Sequence, residues 1–207
     1  MRVDQATRTA GTGGGAMPAR VRLHRAERRE QLLTAATRAF ARSGFAATSL
    51  EDIAAEAGVT AVILYRHFDS KADLYRAVLD RTSARLASVV GTDHFTDAAY
   101  TALIEAARVD PDGFRLLFRY AAREPQFRAR ADATAAIATD AARRNLATRL
   151  QDQEWAGWAA QLVPVVTLEA VLAWLDAGQP QPEQAAERIA RVVNSVIDAA
   201  VHAPPPA

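Results

Sequence analysis

Residues 47–74 read ATSLEDIAAEAGVTAVILYRHFDSKADL, and this stretch decides the fold. It begins with Thr48 and Ser49, which can cap a helix, and apolar residues then follow at helical spacing. The turn Gly58-Val59-Thr60 ends that helix and leads into a second short one that extends to about His67. The stretch therefore predicts two short helices joined by a tight turn.

The chain from Arg25 onward reads as helical throughout, because Ala, Leu, Arg and Glu dominate and β-branched runs are rare. We predict an all-α fold. The expected domains are a disordered N-terminal tail at 1–22, a helix-turn-helix unit with a connecting helix at 23–90, and a helical C-terminal domain at 91–203. The helices are predicted near residues 25–43, 50–57, 60–67, 71–90, 97–108, 111–123, 125–151, 153–177 and 183–202.

Composition narrows the classes of protein to consider. The chain has no cysteine, which excludes disulfides, thiolate metal sites and cysteine nucleophiles. No apolar run reaches the roughly 20 residues of a membrane helix, and the N-terminus lacks an apolar signal segment. We expect a cytoplasmic protein with no membrane partner. Translation from Met1 or from Met17 fits the sequence equally.

Charge is distributed unevenly along the chain. Residues 1–92 carry 14 Lys and Arg against 9 Asp and Glu, whereas residues 93–207 carry 11 against 15. A basic front on an acidic body suits a protein whose front meets phosphate. The helix-turn-helix pattern of residues 49–67 is also the geometry that can lay a second helix in a DNA major groove, although an ordinary helical hairpin has the same pattern.

A series of short elements between Arg29 and Leu79 stands in a distinctive register. They are Ala39-Phe40, Gly44-Phe45, Ala47-Thr48-Ser49-Leu50, Ile53-Ala54, Ala57-Gly58-Val59-Thr60, Leu64-Tyr65-Arg66-His67-Phe68 and Ser70-Lys71-Ala72-Asp73-Leu74. In these elements the chain resembles the TetR family of transcriptional regulators. The remainder of the chain matches the family only in length and helical character.

The resemblance implies a sequence-specific DNA-binding regulator that acts on a palindromic operator as a homodimer. It also implies a repressor whose C-terminal domain binds a small, mostly apolar effector that releases the protein from its operator. Two alternatives stay open: a small all-helical enzyme or carrier whose pocket is the functional site, and a degenerate relative that acts through protein contacts.

Residues on the second short helix are the candidates for DNA contact. Leu64 and Phe68 lie four residues apart and can pack against Ile53 and Phe40, which leaves the opposite face outward. Phosphate contacts are expected from hydroxyl, ring and ammonium donors, and base contacts from the exposed helix edge. The predicted DNA-binding residues are Thr48, Thr60, Ala61, Val62, Ile63, Tyr65, Arg66, His67 and Lys71, the last being the only lysine in the chain.

The sequence departs from the family at the edge that would read bases. Ala61, Val62 and Ile63 stand where relatives commonly have a basic or polar residue, Gly or Pro, and a small residue. Apolar side chains can contact thymine methyl groups but cannot hydrogen-bond to base edges. Discrimination would then rest on Arg66 and DNA shape, or DNA binding would be weakened.

The C-terminal domain supplies the candidates for an effector site and a dimer interface. The expected effector lining is Phe114, Leu117, Phe118, Trp155 and Trp158. The last two helices carry wide apolar stripes, and the stripe of the final helix consists of Ile189, Val192, Val193, Val196, Ile197, Ala200 and Val201. This pattern predicts an isologous four-helix bundle between two chains. Pro164 is expected to kink or begin one of them. The sequence offers no convincing catalytic residues, metal site or cofactor, and we interpret Asp93-His94 with Asp97 as a loop cap.

Overall fold

The computed structural model describes residues 24–91, 97–148, 150 and 152–201, with only the backbone of Asp97, Ala200 and Val201 included. Every regular element in these ranges is helical, which confirms the all-α prediction. The α-helices are α1 Arg25–Ala47, α2 Leu50–Glu56, α3 Ala61–Tyr65, α4 Lys71–Val90, α5 Asp97–Val109, α6 Pro111–Arg115, α7 Arg128–Leu146, α8 Gln153–Asp176 and α9 Pro182–Val201. The predicted tail at 1–22 lies outside the described residues.

The head consists of α1, α2, α3 and the first half of α4, and one apolar core holds it together. Phe40, Ile53, Leu64, Phe68 and Tyr75 are all at most 2% exposed and belong to that core. The predicted packing of Leu64 and Phe68 with Ile53 and Phe40 is therefore confirmed. Four residues from beyond residue 90 complete the same core: Leu116, Leu117, Ala121 and Phe127.

The body consists of α5 to α9, with α8 at its centre between α7 and α9. Its core is formed mainly by small and aliphatic residues of α8 packed against the neighbouring helices. Pro164 lies inside α8, which begins eleven residues earlier at Gln153, so this proline does not mark the helix start. Its missing N–H leaves the helix without one hydrogen bond at that point.

The segment between α5 and α7 departs from the predicted regular helix. A π-helical turn, Leu116–Tyr120, and a short 3-10 turn, Ala121–Arg123, follow α6 directly. The helix predicted near 125–151 would place Pro125 in its first turn, but α7 begins three residues later, at Arg128. Within this segment Leu116 and Leu117 belong to the head core, and Phe118 packs against both the head core and the body core.

Helix α4 joins the head to the body through two arginines. Arg81 donates to the hydroxyls of Thr34 and Thr37 on α1, at 3.0 and 2.7 Å. Arg85 lies 3.3 Å from the carboxylate of Glu30 on α1 and 3.9 Å from that of Asp110, which caps α6. A displacement of α6 would therefore reach α1 through these side chains.

Helix α8 is long and apolar enough to cross a membrane by length and composition, which corrects the expectation that no apolar run reaches that length. Half of its most apolar window is buried inside the protein, and one such helix is weak evidence for a membrane span.

Candidate nucleic-acid interface

The start of α2 is fixed by a capping box. The Ser49 hydroxyl accepts from the backbone N–H of Asp52 at 3.0 Å, and the Ser49 N–H donates to the Asp52 carboxylate at 2.9 Å. Hydrogen bonds from the side chain and backbone of Ser49 hold the pKa of Asp52 below its usual value. The cap therefore stays charged and intact at neutral pH, and it sets the angle at which α2 leaves α1.

The turn after α2 orients α3. Gly58 has φ of 65°, in the left-handed region that a glycine adopts at little cost, and the N–H of Val59 returns to the Ala54 carbonyl at 2.9 Å. Leu64 is fully buried and Phe68 nearly so, which pins one face of α3 to the head core. The opposite face is consequently turned away from the core.

That outer face carries most of the residues predicted to contact DNA, and they differ in how far their side chains are exposed. Val62 and Tyr65 are 61% and 52% exposed, and Thr60 and Arg66 are exposed as well. The Thr60 hydroxyl makes no capping hydrogen bond, so it is available to a ligand. Ala61 and Ile63 are both half-buried, and Ala61 packs against the head core. The most accessible apolar side chain at the predicted reading edge is therefore Val62.

Thr48 does not lie on this face. It is only 2% exposed, and its hydroxyl donates to the carbonyl of Gly44 at 2.7 Å. The turn between α1 and α2 uses that hydroxyl internally, which corrects the prediction that it contacts phosphate. The sequence did not distinguish the two residues, because Thr48 and Ser49 can both cap a helix, whereas in the structure only Ser49 caps α2.

Lys71 is half-buried beside the same turn. Its ammonium group donates to the carbonyls of Thr48 and Ala46, at 2.9 and 3.2 Å, and lies 4.7 Å from the centre of the Phe45 ring. A lysine has three donors, so one remains without a partner among the described residues. Lys71 thus holds the α1–α2 turn, and a phosphate contact would have to use that remaining donor.

His67 lies at the end of α3, where basic residues of α1 approach it. Its pKa is lowered, first by partial burial and then by the positive charges of Arg25, Arg29 and Arg28. The Arg29 guanidinium stacks 4.9 Å from the centre of the Phe68 ring. Sequence reasoning missed these three arginines as part of the site. The signal was available, since residues 25, 28 and 29 share one helix face.

A separate cavity of about 380 Å³ lies in the body between α4, α5, α7 and α8. None of the described residues that line it is acidic or basic. They are Ser83, Ala84, Leu86, Ala87, Val90, Gly91, Ala99, Tyr100, Leu103, Phe118, Thr134, Ile137, Ala138, Ala141 and Thr167.

The five predicted effector residues are not brought together at this cavity. Phe118 lines it, but Leu117 is fully buried in the head core and Phe114 is buried beside a neighbouring cleft. Trp155 and Trp158 are 47% and 46% exposed and pack edge to face on the surface of α8. The effector lining was predicted from the clustering of aromatic residues, whereas aliphatic side chains of α4 and α7 form much of the cavity wall.

Within the described residues, no three His, Asp or Glu side chains come close enough together to hold an ion. Asp93, His94 and the side chain of Asp97 lie outside the described residues.

Residues 32–78 match the model of the family described as bacterial regulatory proteins, tetR family. The matched segment contains the whole of α2 and α3 with their capping residues. The head of this chain is therefore similar to bacterial regulatory proteins of the tetR family.

Two bacterial relatives of this chain are the transcriptional activator FasR of Mycolicibacterium smegmatis and the transcriptional regulator TtgR of Pseudomonas putida. FasR is 40% identical over 129 residues, which cover 58% of this chain and 59% of FasR. TtgR is 52% identical over 54 residues, which cover 26% of each protein. The chain therefore spans less than two thirds of the length of either relative.

Solved structures of TetR-family proteins share the fold over a longer range. A TetR-like transcriptional regulator from Rhodococcus sp. RHA1 has a TM-score of 0.69 at 21% identity, over 86% of this chain and 97% of that one. NalD of Pseudomonas aeruginosa, the secondary repressor of the MexAB-OprM multidrug efflux pump, has a TM-score of 0.64 at 21% identity, over 83% and 96%. The arrangement of the body helices is thus shared although few of their residues are.

Proposed function

We propose that this protein is a sequence-specific DNA-binding transcriptional regulator, acting in the cytoplasm. The observation that carries the proposal is the outer face of α3. A capped α2, a left-handed glycine turn and buried Leu64 and Phe68 hold that face rigidly outward. A short helix supported in this way can enter a major groove while its partner helix crosses the backbone.

The side chains of α3 suggest a division of labour. The hydroxyls of Thr60 and Tyr65 can donate to phosphate oxygens, which orients the protein without reading sequence. Arg66 can bond to the O6 and N7 atoms of guanine, and Val62 can contact a thymine methyl group. Because Arg66 is the one charged residue of this face proposed to contact bases, part of the sequence specificity would come from DNA shape.

The proposal is tested by selecting duplexes from a random library with the purified protein and measuring binding by fluorescence anisotropy. We expect a palindromic consensus, with affinity that falls steeply as salt rises. Arg66→Ala should lower the preference for the consensus over a scrambled duplex, whereas Arg143→Ala on α7 should leave it unchanged. A wild-type protein that selects no consensus and binds no duplex would overturn the proposal.

We further propose that the body cavity binds an uncharged, mostly apolar effector. The absence of a charged lining residue makes an ionic ligand costly to bury there. The hydroxyls of Thr134 and Thr167 donate to the carbonyls of Arg130 and Val163, so toward a ligand they act as acceptors. An alcohol with a short hydrocarbon body satisfies both conditions.

A matched ligand series tests this proposal. Thermal unfolding is measured with octanol, octanoate and octylamine, which share one hydrocarbon chain and differ in charge. Octanol should raise the Tm, and the two ions should have little effect at equal concentration. Ala138→Phe, which fills the cavity, should abolish the rise, whereas Ala136→Phe on the exposed side of α7 should preserve it. Equal shifts for all three ligands would contradict the proposal.

A homodimer through α8 and α9 completes the proposed regulator. Trp158 and Val165 on α8 and Val192 on α9 are 46%, 57% and 52% exposed, which leaves apolar surface on both helices open to a second copy. Ile189 and Val193 belong to the expected stripe but pack within their own chain. The proposed interface is accordingly narrower than the stripe in the sequence.

Effector binding is proposed to release the operator. Relatives named as an activator and as repressors both occur, so the direction of control needs its own measurement. A promoter carrying the selected consensus, fused to a reporter, should be silenced by the protein and restored by octanol. If the Ala138→Phe protein still silences the reporter but octanol no longer restores expression, the response to octanol depends on the cavity.

A further inference from the structure

Four arginines around the head are paired with carboxylates. Arg42 pairs with Glu56, and Arg76 pairs with Asp73. Arg81 and Arg85 share Glu30. These side chains stabilise the head and are partly neutralised by the carboxylates they contact.

Arg25, Arg28 and Arg29 differ, and we call them the α1 arginine surface. Among the described residues, no carboxylate lies within ion-pair distance of any of the three. All lie in the first two turns of α1, which also contain Glu27 and Glu30, and Glu30 pairs with Arg81 and Arg85 as described above. The Glu27 carboxylate accepts from the backbone N–H of His24 at 2.8 Å, so it caps the helix. The surface therefore carries an excess of positive charge.

This surface is held against the ends of both short helices. Arg28 donates to the Gln31 side chain at 2.6 Å, and Gln31 in turn donates to the Ala57 carbonyl at the end of α2, at 2.8 Å. Arg29 covers the Phe68 ring that follows α3. Two of the three guanidinium groups are thus oriented before any ligand binds, which reduces the entropy lost on binding.

We propose that the α1 arginine surface binds the DNA backbone beside the base pairs read by α3. The inference rests on the proposed function and extends it to a second contact region. A guanidinium group binds phosphate with two parallel hydrogen bonds, and DNA is the polyanion that α3 would bring alongside. His67 lies between the two regions and would gain a negative neighbour on binding. Sequence reading by α3 would then be assisted by contacts that carry no sequence information.

The test compares the salt dependence of binding for variants of the full chain on the selected consensus duplex. Each lost phosphate contact lowers the slope of log affinity against log salt by about 0.9, so the R25Q/R28Q/R29Q protein should lose up to about five units as a dimer. Its ranking of single-base variants should not change. Arg143→Gln removes an exposed charge from α7 and should leave the slope as in wild type.

Two further variants separate charge from folding and locate the contact. R25K/R28K/R29K keeps the charge and should retain most of the slope. Shortening the duplex on the outer side of each half-site should lower the slope of log affinity against log salt for the wild-type protein, toward the slope of R25Q/R28Q/R29Q. The same shortening should barely change the slope of R25Q/R28Q/R29Q itself. Circular dichroism and Tm establish that both triple variants fold.

The outcomes distinguish the two proposals. If the wild-type protein binds the consensus and R25Q/R28Q/R29Q has the same salt slope, the proposal of a second contact region is overturned and the proposed function stands. If the slope falls but duplex length has no effect on it, the arginines act within the half-site, which also overturns the flanking contact. If wild type binds no duplex, the proposed function itself fails.

Discussion

At the residue scale, His67 gives the proposed interface a pH dependence. Burial and the charges of Arg25, Arg29 and Arg28 on α1 lower its pKa in the free protein, and Arg66 and Asp69 are its charged neighbours in sequence. A bound phosphate would favour the charged imidazole and raise the pKa. The complex then binds more protons than the free protein, so affinity rises as pH falls.

We therefore expect operator affinity to strengthen as the pH is lowered from about 8 to about 6, the range in which histidine titrates. His67→Gln should remove most of this slope, and His24→Gln should retain it. Anisotropy titrations at constant ionic strength measure the effect. A His67→Gln protein with the wild-type pH slope would show that another group carries the proton.

On α3, Val62 is proposed to contact a base and Tyr65 to contact the DNA backbone, and substitutions can distinguish the two roles. Val62→Ser should change the preference at one base pair of each half-site by about 1 kcal/mol, the value of a lost apolar contact. Tyr65→Phe removes one hydroxyl and should weaken binding to all sequences equally. Competition among single-base variants of the consensus distinguishes these profiles. A changed base preference in Tyr65→Phe would contradict the assignment.

At the element scale, the junction of α4 and α6 depends on a glycine. The N–H of Gly113 donates to the Asp110 carboxylate at 3.0 Å. A Cβ atom at residue 113 would lie 2.5 Å from that carboxylate and 2.8 Å from the Thr82 hydroxyl oxygen. Both distances are too short, so Asp110 would have to leave its capping position.

Gly113→Ala should consequently lower the free energy of unfolding by about 1 to 3 kcal/mol, although alanine is the better helix former. Gly157→Ala is the matched control, because a Cβ there would have no atom within 4 Å. That change should stabilise α8 by about 0.5 to 1 kcal/mol. Urea unfolding followed by circular dichroism measures both. Equal effects of the two substitutions would refute the argument from Asp110 and Thr82.

At the scale of the whole molecule, the exposed face of α8 predicts the oligomeric state. Val165→Arg places a charge in the proposed interface and should convert a dimer to a monomer with operator affinity reduced at least about tenfold. Val109 is 68% exposed at the end of α5, so Val109→Arg adds the same charge elsewhere and should remain dimeric. Light scattering decides between these results. A monomeric wild type at micromolar concentration would defeat the dimer.

The sequence by itself determined the local elements of this protein. Residues 47–74 contain cap, turn and apolar spacing at fixed offsets, so α2, α3 and the start of α4 follow from nearest neighbours along the chain. The burial of Leu64 and Phe68 was predictable for the same reason. Helical periodicity also predicted the body helices, except where Pro125 and the π-helical turn interrupt the regular pattern.

Only the tertiary structure decided which side chains are free to meet a ligand. Thr48 and Lys71 look available in the sequence, yet both bind backbone carbonyls that folding brings beside them. The five residues predicted to line an effector site do not come together at the body cavity, because a cavity is the space left after several helices pack and no single helix encodes it. The three arginines of α1 gained their significance in the same way, since only packing brings them beside His67.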